Sequence, residues 1–294
     1  MSGVTATLPS LAVRAALRHK QGVTPTPLAR QALGLGLRPR HYRELGEPWP
    51  ELDYFEIISE NFLNQAEGSR YQLDRVRERY PIVLHGVGLN LLGPELPSNL
   101  YLDRVAALAE LVDAPFVTDH LCWTGSHGLS HHDLLPVPYV PELVELAAER
   151  ARHVQQHLGR PFGLENLSSY VEFRASRMPE WEFYAGVVER AGCWFMLDIN
   201  NLYVSSQNHR FSAADYLARI DFSRVLQVHI AGHTREPDGT LIDTHDHPVA
   251  DAVWRLYADA FRRQPFPTLL EWDDHIPPLA DAVAELGRAK AVRA

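Results

Sequence analysis

From Gly34 onward the chain alternates between two patterns of apolar and polar residues. Short runs of β-branched, aromatic and aliphatic residues recur as GLGLR (34–38), DYFEII (53–58), PIVLHG (81–86), PFVTDH (115–120), PFGLEN (161–166), WFMLDI (194–199), VLQVHIAG (225–232) and TLLEWD (268–273). Nearly continuous apolar runs of this length are expected of strands buried on both faces. Between them, apolar residues recur three or four positions apart. The clearest such stretch is 141–158, where Leu143, Ala147, Ala151, Val154 and Leu158 share one face. Pro141 suits its first turn and Gly159 the position just past its end. Leu102, Val105, Leu108 and Val112 mark another helix, 182–191 ends at Gly192, and Ser212 is placed to cap 213–220. A helical stretch follows every run, the first of them, 39–46, being short.

Strands regularly alternating with helices predict an α/β fold, a single (β/α)8 TIM barrel. An open doubly wound sheet would bring a Gly-rich phosphate turn to the first strand–helix junction, whereas Gly34 and Gly36 are followed by Leu37 and Arg38. No linker divides 33–290, which reads as one domain. Residues 1–32, with Pro9, Pro25 and Pro27 around a basic Ala-rich stretch, read as a flexible N-terminal extension.

Composition narrows the function classes. The 294 residues are 46% apolar and 22% charged, ordinary for a globular chain. No apolar run approaches the roughly 18–20 residues needed to cross a bilayer. The N-terminus lacks an apolar block with a small-residue cleavage site, so a cytoplasmic protein is expected. A net charge of −9 gives no basic footprint for nucleic acid. Cys122 and Cys193 are too few for a disulfide framework. The unusual count is 15 histidines.

Active sites of such barrels form at the C-terminal ends of the strands. In order, these ends carry Glu60 and Asn61, His85, Asp119 and His120, Glu165 and Asn166, Asp198 with Asn200 and Asn201, His229 and His233, and Glu271 with Asp273. The seventh loop adds Asp243, His245 and His247. One such residue would pass as a helix cap, a salt bridge or a hydrogen-bonded core group. A whole ring of buried carboxylates around one axis is too costly without cations, so the site reads as metal-binding. Imidazole and carboxylate without thiolate suit Fe, Mn, Co or Zn. The donors exceed what one ion takes, so two or three ions are expected, with the central Glu165 bridging. Cys122 reads as a small buried residue rather than a ligand. His131 and His132 are read as a solvated loop, and His127, His153, His157 and His209 as surface. Trp123, Tyr139, Tyr170 and Tyr203 follow strand ends, where they line a cleft or pack its rim. No GxSxG, Walker or HExxH motif occurs.

The segments HGVGLNLLG, TDHLCWTG, DLLPVPY, LENLSSY, LDINNLYVSS, VHIAGH, IDTHDHPV and LLEWD, in this order, resemble the DUF692 family. These are multinuclear non-haem iron-dependent oxidases that include the MbnB-type methanobactin maturation enzymes. The resemblance runs from about residue 33 to 285. It implies a xylose-isomerase-like barrel holding two or three irons, mixed Fe(II)/Fe(III), with O2 as co-substrate. Carried over by motif, one iron is held by His85 and His120 with Glu165 bridging, and a second by Glu165, Asp198, His229 and Glu271. A third position uses Asp243 and His245 with Asn201, where some members carry His. The implied activity is oxidation of cysteine in a ribosomally made precursor peptide, giving heterocycle or thioamide-type products. A separate partner protein usually presents that peptide. Glu165, His120 and Asp198 are expected nearest the chemistry, and Asn61, Asn166, Tyr203 and His233 are the expected substrate contacts.

Two other classes compete. A redox-neutral divalent-metal barrel enzyme would be a sugar isomerase or epimerase, or an endonuclease IV-like phosphodiesterase. The lysines, Lys20 and Lys290, both lie outside the strands, against the first, and the negative charge speaks against the second. A non-catalytic metal chaperone would need a saturated site.

Overall fold

The computed structural model describes residues 28–64, 67–126 and 129–293. The proposed extension therefore falls, up to residue 27, outside the described residues, as does His127. Eight parallel strands close into a barrel: β1 (Leu33–Gly36), β2 (Tyr54–Ile58), β3 (Ile82–Gly86), β4 (Val117–His120), β7 (Phe162–Glu165), β8 (Trp194–Asp198), β9 (Val225–Ile230) and β12 (Thr268–Leu270). Each bonds to the next, and β12 closes on β1 through Leu33↔Thr268 and Leu35↔Leu270. The expected (β/α)8 barrel is the observed fold. Two antiparallel hairpins, β5 (Trp123–Ser126) with β6 (Leu129–Leu135) and β10 (Thr234–Arg235) with β11 (Leu241–Ile242), sit on the loops after β4 and β9.

The helices are α1 (Glu60–Leu63), α2 (Glu67–Arg77), α3 (Asn99–Leu111), α4 (Pro141–Leu158), α5 (Glu180–Ala191), α6 (Ile199–His209), α7 (Ala213–Leu217), α8 (Asp251–Arg263) and α9 (Leu279–Val292). Helix α4 has its expected bounds: Pro141 stands in the first turn, and Gly159 ends it with a left-handed φ of 60°. Its inner face is Ala147, Ala148, Ala151 and Val154, all fully buried, small enough to let it lie close to its neighbours. Among the described residues no helix is long and apolar enough to cross a membrane.

Several elements differ from expectation. The stretch after β1 is a short 3-10 turn, Pro39–Arg43, rather than a helix over 39–46. Ser212 caps α7 through the Asp215 amide (3.1 Å), but that helix stops at Leu217. The segment carrying His131 and His132 is strand β6, not loop, because Gly125↔Ser130 and Trp123↔Leu135 pair it with β5. Five of the barrel strands, β1, β7, β8, β9 and β12, also end earlier than their apolar runs. At β8 the reason is visible: Asp198, still paired with His229, caps α6 by accepting from the Asn201 amide at 2.6 Å, and the chain turns helical from Ile199.

Candidate metal centre

The barrel register brings the polar strand ends to one level. His120 pairs with Glu165 across β4 and β7, and Asp198 with His229 across β8 and β9. His85, at the end of β3, stands beside Thr118. Its Nδ1 is 2.8 Å from Thr118 Oγ1, and His120 Nδ1 is 3.1 Å from the Gly86 carbonyl oxygen. Each ring is thus held by Nδ1 and turns Nε2 inward. Both Nε2 atoms converge on Glu165 Oε2, at 3.2 Å from His85 and 3.0 Å from His120. Orientation of an imidazole through its second nitrogen is how protein ligands are aimed at metal ions.

On the other side of the barrel His229 lies between two carboxylates. Glu271 Oε2 is 3.1 Å from Nδ1 and Glu56 Oε2 3.2 Å from Nε2, with Gln227 holding Glu56 at 2.9 Å. Buried Arg38 braces this side, bonding Glu271 (2.9 Å), Asp273 (2.8 Å) and the Trp272 carbonyl (2.8 Å). His245 stands between Asp243 (2.7 Å) and Asp273 (3.0 Å). Its backbone is left-handed, φ 48°, a conformation uncommon outside glycine. Two bonds hold it there, from its own amide to Gly232 O (3.2 Å) and from the Asp273 amide to its carbonyl (2.9 Å). Gly232 is required for this approach: a Cβ there would lie 1.8 Å from the His247 carbonyl oxygen.

Burial and mutual repulsion set the charges. Burial, then the neighbouring imidazoles, drives His85 well down, and burial takes His120 to about 4, so both are neutral and free to ligate. Burial, joined by Asp198 and Glu271, pushes Glu165 well up against the opposing pull of His229. Asp198 is raised to about 7, again chiefly by burial. Burial would lower His229, but Glu56 and Glu271 override it and push the ring up; Asp243, Asp273 and Glu271 do the same for His245. Burial would raise Glu271, and His229, His245 and Arg38 instead hold it well down. Protons therefore occupy positions that cations would fill.

The residues fit metal ions. Four sets of donor atoms each lie within 4.8 Å of one another: His85, His120 and Glu165; Glu165, Asp198 and His229; Glu56, His229 and Glu271; Asp198, His245 and Glu271. Glu165 Oε2, Asp198 Oδ2 and Asn201 Oδ1 are buried without a hydrogen-bond partner, a state that is costly unless something else meets them. All donors are imidazole, carboxylate or amide, a set suited to Fe, Mn, Co or Zn. Burial pushes the Cys122 thiol well up, and it joins none of these sets.

The remaining candidates are distributed unevenly. Asn201 donates to Glu165 Oε1 (3.2 Å) and the Asn166 carbonyl (3.1 Å), while Asp243 takes its bonds from Asn200 (2.6 Å) and Ser168 (2.9 Å). Asn166 exchanges two bonds with the Asp198 backbone, at 3.0 and 2.9 Å, and so clamps β7 to β8. His233 binds Asn200 Oδ1 at 2.8 Å and lies against Tyr203, ring centroids 5.2 Å apart. Asn61 is exposed on α1. Glu60 and Asp119 lie to one side, joined by the Tyr101 hydroxyl at 2.6 and 3.4 Å. Two residues of the centre escape a reading of strand ends, Glu56 and Arg38. The signal for Glu56 is a lone charge inside the apolar run DYFEII, in mid-strand.

Fold and site together define an α/β barrel with a buried, multi-donor centre at its C-terminal mouth. Residues 32–294 match the family described as RiPP precursor modification enzyme MbnB/TglH/ChrH. A UPF0276 protein of Caulobacter vibrioides is 48% identical over 260 residues, covering 88% of this chain and 92% of its own length. A UPF0276 protein of Anaeromyxobacter sp. is 46% identical over 263 residues, with 89% and 92% covered. The chain belongs to this family of enzymes that modify ribosomally made precursor peptides. Solved structures share the fold alone. A xylose isomerase-like TIM barrel protein from Mycobacterium smegmatis, in complex with magnesium, aligns at TM-score 0.57 and 14% identity over 89% of this chain and 96% of its own. Endonuclease IV from Thermus thermophilus aligns at 0.53 and 18%, over 89% and 98%.

Proposed function

We propose that this chain is an iron-dependent oxidase that uses O2 to modify cysteine residues of a ribosomally made precursor peptide, with two or three irons at the barrel mouth. The observation that carries the reading is Glu165 Oε2, buried between two neutral imidazoles yet aligned for a hydrogen bond with neither. A carboxylate so placed is suited to a cation. Iron bound there supplies O2 activation and a Lewis-acid position for a substrate thiolate.

His85, His120 and Glu165 hold one metal position, with Thr118 and the Gly86 carbonyl keeping both rings aimed. Asp198, His229, His245 and Glu271 hold the rest, with Glu56 and Arg38 orienting and neutralising them. Asp243 and Asn201 adjoin this set. Loading displaces the protons on Glu165 and Asp198, so the centre binds cations more tightly as pH rises. Asn166, Tyr203, His233 and exposed Asn61 are the assigned substrate contacts. A separate peptide-presenting protein belongs to the same proposal. A redox-neutral epimerase or phosphodiesterase finds support only in fold likeness below 20% identity.

The test is metal analysis and Mössbauer spectroscopy of anaerobically purified protein. Two or three irons per chain with an antiferromagnetically coupled pair is the expected result. Stoichiometric zinc or manganese, with no activity gained on iron reconstitution, would overturn it.

A further inference from the structure

Beside the metal centre the loop from β7 to α5 encloses a second feature. A cavity of about 210 Å³ lies between this loop, the 136–139 segment and the start of α5, with Tyr139, Phe173, Glu180, Trp181, His209 and Phe211 in its wall. It is smaller than the ~300 Å³ lower bound of ordinary small-molecule pockets, a size for one side chain rather than a cofactor. Its rim is apolar and exposed: Val171 is 57% and Phe173 38% accessible.

The charge of the wall is one-sided. Glu180 accepts from the Tyr216 hydroxyl at 3.0 Å, and no ion pair reaches it among the described residues. Glu172 adds a second carboxylate. Two nearby basic groups are engaged elsewhere. Arg177 is paired with Glu142, and His209 Nε2 faces Ser169 Oγ (2.8 Å) and its carbonyl oxygen (2.9 Å). Around Glu180 the rings form a connected set, Trp181 lying 5.9 Å from both Phe211 and Tyr216. Aromatic faces with a carboxylate lacking a countercharge attract a cation, and a planar guanidinium stacks on such rings as well as pairing with the acid. The position relative to the centre is equally defined. Ser169 lines the cavity, and its neighbour Ser168 donates to Asp243 at 2.9 Å.

We infer that this cavity seats a basic side chain, arginine or lysine, of the precursor peptide, one loop residue away from the metal centre. The inference rests on the peptide-modifying reading, and it makes Glu180 a specificity residue. A basic side chain anchored here fixes the register in which the following segment crosses the barrel mouth.

The test uses the full chain labelled with 5-fluorotryptophan, its Trp181 resonance assigned with Trp181→Phe. N-acetylargininamide and the neutral N-acetylnorleucinamide are titrated into tens of millimolar. The expected result is a saturable shift of the Trp181 signal with arginine, about tenfold weaker with norleucine, and loss of that preference in Glu180→Gln. Equal binding of the two amides, or no arginine shift at all, overturns the proposal on the wild-type protein alone. The other tryptophan resonances report whether Glu180→Gln is folded, and an unchanged preference in the folded variant also overturns it. The titration involves neither iron nor turnover. A zinc-loaded, inactive protein that still prefers arginine sinks the oxidase reading and spares the pocket. An iron-loaded protein indifferent to arginine does the reverse.

Discussion

Replacing Glu165 with alanine separates metal binding from folding. Its Oε2 lies 3.2 and 3.0 Å from His85 and His120 Nε2, and like Asp198 and Glu271 it belongs to two of the four donor sets. Neither ring depends on it for orientation, since Thr118 and the Gly86 carbonyl hold the Nδ1 atoms. The substitution therefore leaves two aimed imidazoles and removes the charge between them. Removing one partner of a buried charge pair costs about 3–5 kcal/mol, roughly 10²–10⁴-fold in affinity. Folding responds differently, because burial already holds this carboxyl well above its ordinary range. Without metal, deleting it relieves a desolvated group and leaves a small polar cavity. The metal-free melting temperature should move by no more than about 2–4 °C, the equivalent of about 1 kcal/mol for a chain of this size. The assay is metal content after anaerobic reconstitution and desalting, beside thermal melts of metal-free wild type and variant. Loss of at least one metal equivalent with near-normal melting is expected. Full stoichiometry in the variant would refute Glu165 as a shared ligand, and a collapse in metal-free stability would refute the separation of roles.

Four further substitutions probe the surroundings. His245 belongs to one donor set only, so His245→Ala should remove at most one metal equivalent; loss of two or more would show that the positions are divided differently. Glu56→Gln unpins His229 and should weaken metal binding about 10–100-fold in chelator competition, whereas unchanged affinity would make Glu56 a bystander. Burial raises Glu180 from 4.5 to about 7. The folded state thus keeps a proton that the unfolded state has lost, and stability falls as pH rises from 4.5 to about 7. Glu180→Gln should abolish that loss, gaining roughly 3 kcal/mol over wild type at pH 8 and nothing at pH 4; parallel stability curves would disprove the shift. Gly232→Ala drives a Cβ into the His247 carbonyl and should cost about 1–3 kcal/mol as the His245 loop gives way, so an unaltered melt would mean that the loop adapts freely.

Helix α4 shows what local pattern can establish. Its apolar spacing, Pro141 and Gly159 are properties of eighteen neighbouring residues, and the structure returns the same bounds. The barrel strands were legible as apolar runs for the same reason. Where each run stops was not, because Asn166, which ends PFGLEN, bonds the Asp198 backbone across β7 and β8, and Ile199, which ends WFMLDI, begins α6 under an Asp198 cap. The hairpin over 123–135 was missed because its residues look polar and loop-like, and only the β5–β6 pairing makes them strands.

The candidate centre divides along the same line. His85, His120, Glu165, Asp198, His229 and Glu271 announce themselves as polar residues ending apolar runs, since a barrel places its strand ends together whatever the details. Glu56 and Arg38 do not. One sits in mid-strand and the other just past β1, and which way each turns depends on how eight strands close and stagger. The repeating strand–helix architecture and the chemical character of its mouth can be read along the chain, because both follow from side-chain periodicity over a few turns. Long-range packing sets which donors share a position, holds His245 left-handed against Gly232, and turns Glu180 toward an aromatic cavity without a countercharge. Those depend on contacts between residues tens to hundreds of positions apart, which no local pattern encodes.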